Sequence, residues 1–89
     1  MAYVEFTSQL QRFVDTPKLD CDARTLGEAL TLAFDHNPRL RGYILDDQGH
    51  LRTHVAVFID GHRVRDRSEL SDPLSAQSKV YVLQALSGG

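Results

Sequence analysis

The chain has 89 residues, a single cysteine, and 12 acidic against 10 basic residues, for a formal net charge of −2. That length suits one domain with a modest core, and the charge argues against a nucleic-acid binder held mainly by phosphate contacts. A lone Cys21 excludes an internal disulfide, no apolar run approaches the roughly 20 residues that cross a bilayer, and the N-terminus lacks a signal-sequence pattern, so the expected compartment is the reducing cytoplasm.

In AYVEFTS, Val4 and Phe6 alternate with Tyr3, Glu5 and Thr7, the pattern of a half-buried strand. PKLDCD repeats it, with Leu19 and Cys21 between Lys18, Asp20 and Asp22. Residues 9–14 either extend one of these strands or form an irregular loop. A helix start follows in TLGE, where the Thr25 hydroxyl can cap the first amides and Glu28 can reach back to close a capping box. Leu26, Ala29, Leu30, Ala33 and Phe34 then fall on one helical face. Leu32 lies off that stripe, either covered by a second layer or at the surface. Pro38 ends the helix by pushing Asn37 out of the helical region.

PRLRGYIL reads as a short second helix and DDQGH as a polar turn. In HVAVFIDGHRV, Val55, Val57 and Ile59 share one face and Ala56 and Phe58 the other, so both faces are apolar and the strand is expected to be central. Asp60-Gly61 marks a tight hairpin into His62–Val64. RDRSELSDPLSAQS is a polar loop with a single turn near Leu70, and KVYVLQAL supplies the last strand.

One amphipathic helix covers one face of such a sheet, meeting Val4, Phe6, Leu19, Cys21, Val55, Val57, Val80 and Val82. The crossover through the helix lets the first and last strands lie parallel and adjacent at the centre. The expected class is therefore α+β: a ubiquitin-like β-grasp, with a mixed sheet of about five strands and one main helix, over residues 1–84. Residues 85–89 are expected to form a flexible tail ending in Gly88-Gly89.

The opening strand, TLGEAL, NPRLRGYIL, RTHVAVFIDG, LSDP and the closing VYVLQALSGG together resemble the MoaD/ThiS family of small sulfur carriers, over most of the chain. The resemblance implies that Gly89 is the site of adenylation and of a transient thiocarboxylate. An E1-like adenylyltransferase would use ATP to activate it, with no permanently bound cofactor. A sulfurtransferase or other sulfur source would supply the sulfur, and a biosynthetic enzyme would accept it. Prolines that often precede the tail in molybdopterin-synthase small subunits are missing from VLQALSGG, and the longer middle section looks more like carriers serving cysteine or thio-metabolite synthesis.

The residue types suit that chemistry. A terminal α-carboxyl titrates near pKa ~3.5, so it is an anion at neutral pH and attacks the α-phosphate of ATP without a base. Gly88 and Gly89 have no Cβ and thread a narrow channel. Ala85 and Ser87 are small, whereas Leu86 can anchor the tail in a groove. Extended, residues 85–89 reach about 17 Å.

Phe58, Ala56, Tyr81 and Leu83 should occupy the sheet face that the helix leaves open, a candidate partner interface. The alternative is a Phe58–Tyr81 cross-strand pair partly covered by loops. Arg63, Arg65 and Arg67 share a face if that segment is extended, but Asp60, Asp66, Glu69 and Asp72 are interleaved with them, and a solvated mixed-charge surface is the preferred reading.

His36, His50, His54 and His62 are scattered without metal-ligand spacing, Cys21 reads as a small core residue, and Ser87 has no base nearby. The chain is accordingly expected to be a co-substrate acted on by enzymes, with no metal, nucleic-acid or membrane partner. Two further functions stay open: a ubiquitin-like modifier joined through Gly89 to target lysines, and a plain β-grasp interaction module whose tail is irrelevant.

Overall fold

The computed structural model describes residues 1–7, 10, 14, 16 and 18–84. The expected tail, residues 85–89, lies outside the described residues. Five strands form one sheet in the order β2-β1-β5-β3-β4. They are β1 (Ala2–Phe6), β2 (Leu19–Cys21), β3 (Val55–Ile59), β4 (His62–Arg63) and β5 (Lys79–Gln84), and helices α1 (Leu26–His36) and α2 (Leu40–Ile44) lie between β2 and β3 in sequence.

The period-two apolar patterns decide which face is covered. Ala2, Val4 and Phe6 of β1, Cys21 of β2, Val55 and Val57 of β3, and Val80 and Val82 of β5 are buried, with Leu19 and Ile59 packed at the margin. Against them α1 lays Leu26, Ala29, Leu30, Ala33 and Phe34, the predicted stripe. Leu26 and Leu30 are wholly excluded from solvent, each contributing about 1.5–3 kcal/mol of burial; truncating Leu30 to Ala would cost about 2–5 kcal/mol. Leu32 is at the surface. Leu40 and Ile44 of α2 and Leu45, Leu51, Val64, Leu70 and Leu74 of the loops complete the core.

Both outer connections are antiparallel, β1 with β2 and β3 with β4, whereas β1 and β5 run parallel in the middle. Parallel neighbours need a crossover, and α1 belongs to it. As expected, β5 lies beside β1 at the centre, and β3 is an interior strand between β5 and β4. The apolar second face of β3 arises because Ala56 and Phe58 sit on an open face and are only half-buried, not because a second layer covers them.

Helix α1 starts as its sequence implies, with one shift. Thr25 Oγ1 accepts from the Glu28 amide at 3.3 Å, but the Glu28 carboxylate accepts from Arg24 N at 3.1 Å, one residue before the cap. Two more of the unpaired first-turn amides find carbonyls on the loop before β5: Leu26 N–H donates to Asp72 O at 3.0 Å and Gly27 N–H to Leu70 O at 2.9 Å. That loop, read in sequence as polar, is thus a structural cap. At the far end Asn37 is extended (φ −148°, ψ 97°), as a residue before proline should be.

Aspartates organise three turns. Asp46 accepts from the amides of Gln48 and His50 at 2.9 and 3.0 Å, shaping DDQGH between Leu45 and Leu51. Asp66 accepts from the amides of Ser68, Glu69 and Ser71 and from the Ser71 hydroxyl. Asp60 and Gly61 both have positive φ, 52° and 84°, as a two-residue hairpin turn matched to strand twist requires. Between β1 and β2, Val14 N–H donates to Leu10 O at 3.1 Å and both side chains are buried. The described part of that segment extends neither strand.

Candidate functional site

The central strand leads to the residues that carry the candidate chemistry. β5 ends at Gln84, opposite Val55 at the start of β3 and beside the end of β1, where Thr7 N–H donates to Val82 O at 2.9 Å. The predicted adenylation site Gly89 and the threading residues Gly88, Ser87 and Leu86 lie outside the described residues. The strand that precedes them in sequence does not: β5 is hydrogen-bonded on both sides and holds Val80 and Val82 in the core.

The same strand presents its other face outward. Lys79, Tyr81 and Leu83 alternate with the buried valines, so they point away from α1. Register sets Tyr81 opposite Phe58 on one side and Glu5 on the other, and Leu83 opposite Ala56. Tyr81 is 40% exposed, whereas Phe58, Leu83 and Ala56 are half-buried. Phe58 and Tyr81 are therefore a cross-strand pair on the face that α1 leaves open.

Sequence reasoning missed one member of this face. The Arg63 guanidinium lies over the Phe58 ring, 6.0 Å from its centroid. The hairpin register contains the signal: a two-residue turn at Asp60-Gly61 pairs Ile59 with His62 and Phe58 with Arg63. Arg63, Arg65 and Arg67 do not share an extended face, because β4 ends at Arg63. Beyond it Arg65 N and Asp66 N turn onto the Asp72 carboxylate at 3.0 and 2.8 Å, and Arg67 Nη2 donates to Arg52 O at 2.6 Å.

Electrostatics mark structural turns more than a reactive centre. The Ser71 hydroxyl, followed by the Glu69 amide, lowers the Asp66 carboxyl to about 2, and the His50 amide chiefly lowers Asp46. Cys21 is buried and free. Among the described residues, no group of three His, Cys, Asp or Glu side chains could hold a metal ion, and no helix is long and apolar enough to cross a membrane. A groove of about 620 Å³ opens on the helix side, with Leu30, Phe34, Leu45, Leu70, Glu28 and Arg41 in its lining.

No protein-family model and no curated protein sequence matches the chain. Solved structures do match in shape. Small archaeal modifier protein 1 from Haloferax volcanii superposes with a TM-score of 0.77 at 23% identity, over 99% of this chain and 98% of the other. The protein of that name from Methanosarcina acetivorans gives 0.79 at 21% identity, over 99% and 95%. A chain of the BexX/CysO complex from Amycolatopsis orientalis gives 0.81 at 14% identity, over 100% of both chains. With one helix gripped by a five-strand mixed sheet whose first and last strands run parallel at the centre, this chain is in fold a ubiquitin-like β-grasp protein, end to end alike with those modifier and CysO structures.

Proposed function

We propose that the protein is a sulfur carrier whose Gly89 α-carboxylate is activated by an E1-like enzyme. The observation that carries the reading is the position of the glycine pair: Gly89 is the fifth residue after Gln84, the last residue of the central strand of a β-grasp sheet. Extended, that stretch spans about 17 Å, enough to enter an enclosed catalytic centre while the folded body stays outside. The carboxylate attacks the α-phosphorus of ATP, releasing pyrophosphate and leaving an acyl-adenylate. Hydrosulfide then adds to the acyl carbon and AMP departs, or a persulfide does so and a thiol reduces the resulting acyl disulfide. The thiocarboxylate passes its sulfur to a biosynthetic enzyme. The sequence resemblance favours cysteine or thio-metabolite synthesis over molybdopterin synthesis as the destination.

The chain's own part is delivery. It supplies the acid, the slim tail and a docking face; ATP belongs to the activating enzyme. The open face of Phe58, Tyr81 and Leu83 suits that docking, because Leu83 lies on the strand from which the tail departs. An enzyme seated there would find Gly89 within about 20 Å of Leu83. The BexX/CysO complex, in which a protein of this fold is found with a second protein, supports a partner-bound working state.

A second reading is a protein modifier joined through Gly89 to target lysines, supported by the modifier names of two structures alike in fold. It shares the terminus and the first chemical step. The test is intact mass after incubation with ATP, a sulfur source and the E1-like enzyme of the same genome. Exchange of one oxygen for sulfur, lost on deletion of Gly89, supports the carrier. Accumulation instead as conjugates of larger proteins supports the modifier, and activity undiminished without Gly88 and Gly89 overturns both.

A further inference from the structure

Arg63 is exposed on the two-residue edge strand β4, opposite Phe58. Its guanidinium lies over the Phe58 ring at 6.0 Å. Stacking on an aromatic face restrains a long side chain that otherwise loses about 2 kcal/mol of rotamer entropy when fixed, while its in-plane N–H donors remain free to meet a carboxylate in fork geometry. Asp60, in the hairpin turn three residues before Arg63, has one carboxylate oxygen engaged elsewhere: its Oδ1 accepts from the Lys79 amide at 2.9 Å. Lys79 itself is exposed and precedes Tyr81 by two residues on the same face. The Phe58–Tyr81 pair is thus framed by cations on the β4 side and along β5, although the whole chain carries a net charge of −2. Glu5, the acid in this row, is half-buried on the far side of Tyr81.

We infer that Arg63, held over Phe58, orients the activating enzyme by taking one of its carboxylates, so that the partner surface is an apolar pocket for Phe58 and Tyr81 with an acidic rim facing β4. This rests on the activation reading above and specifies the chemistry of the partner. Buried aromatic residues beside an arginine are the composition in which binding energy concentrates. A cation at the margin of the contact makes association depend on salt. Arg63 is a positioning residue: it faces Phe58, three positions along β3 from the Val55 that faces Gln84, and takes no part in the chemistry.

The test measures affinity of the full chain for the E1-like enzyme of its genome by calorimetry without ATP, and separately the kinetics of ATP–pyrophosphate exchange. Arg63→Glu is expected to raise Kd and KM at least tenfold with kcat within twofold of the parent. Arg63→Lys, which keeps the charge and loses the fork, should raise them about threefold or more, and Arg63→Ala should flatten the salt dependence. Unfolding midpoints close to the parent's show that the fold is intact, as an exposed edge position allows. Parent-like Kd in both Arg63→Glu and Arg63→Ala overturns the inference, as does absence of binding by the unaltered chain. Binding that is intact and sensitive to Arg63, but followed by no pyrophosphate exchange, overturns the activation reading and leaves the contact standing.

Discussion

Asp60 and Lys79 hold each other twice: the Asp60 amide donates to Lys79 O, and the Lys79 amide donates to Asp60 Oδ1, both at 2.9 Å. The hairpin turn between β3 and β4 is thereby clamped to the first residue of the central strand. Asp60 also occupies the left-handed region, φ 52°, which aspartate and asparagine tolerate better than alanine. Asp60→Ala should therefore lower stability by about 1–2 kcal/mol, from one charge-assisted hydrogen bond and the backbone cost together. Asp60→Asn keeps an acceptor and the conformation and should lose about half of that or less. Urea midpoints at unchanged m-value provide the comparison; equal losses in the two variants would contradict the clamp.

Asp66 provides a pH-dependent counterpart. Its carboxyl is lowered from 3.8 to about 2, chiefly by the Ser71 hydroxyl. On acidification the unfolded chain takes up this proton first. The stabilisation is complete above about pH 5 and drains away as pH falls through 3.8 toward 2. Asp46, also lowered, adds a loss of the same sign. Asp66→Asn should therefore show a shallower fall of the urea midpoint below about pH 4 than the parent. Parallel slopes would refute the assignment.

The strands and α1 were legible in the sequence because one amphipathic stripe and four period-two patterns agree on a single covered face, from Leu26 to Phe34 and from Val4 to Val82. The caps were less so. Leu26 and Gly27 donate to Asp72 and Leu70 on a loop distant in sequence that no local pattern places, and Glu28 takes the Arg24 amide one residue before the cap. The apolar pattern of β3 fits its interior place between β5 and β4, but not burial of both faces, because Phe58 is half-open. For the site, the open face was readable from alternation alone. Arg63 over Phe58 follows only from the hairpin register two residues past the turn, which the period-two arginine pattern does not contain.

Core and face residues on the same strand should separate stability from function. Val82 has no exposed surface, so Val82→Ala costs about 2 kcal/mol. Tyr81, 40% exposed, loses only a cross-strand contact on truncation to Ala, about 1 kcal/mol or less, yet should reduce kcat/KM for activation at least tenfold through a higher KM. Phe58→Asp should act in the same way, more strongly. A Phe58→Asp protein that folds normally and is activated at the full rate removes the face from the mechanism.

The reach of the tail makes the sharpest demand. An adenylating centre holds the α-phosphate of ATP at a fixed depth, and the attacking oxygen must approach to about 3–3.5 Å in line. If Gly89 is the residue activated, one residue added after it would move the carboxylate by about 3.5 Å, past the phosphate unless the tail buckles. Pyrophosphate exchange should fall at least a hundredfold with the added residue, while affinity for the enzyme, set by the sheet face, stays within a few-fold. Replacing Gly88 by Val should give the same split, because a branched Cβ widens the peptide at the narrowest point without moving its end. Rate and affinity falling together in both variants would instead place the tail within the docking contact, and unaltered exchange by the lengthened chain would mean that depth does not select the carboxylate.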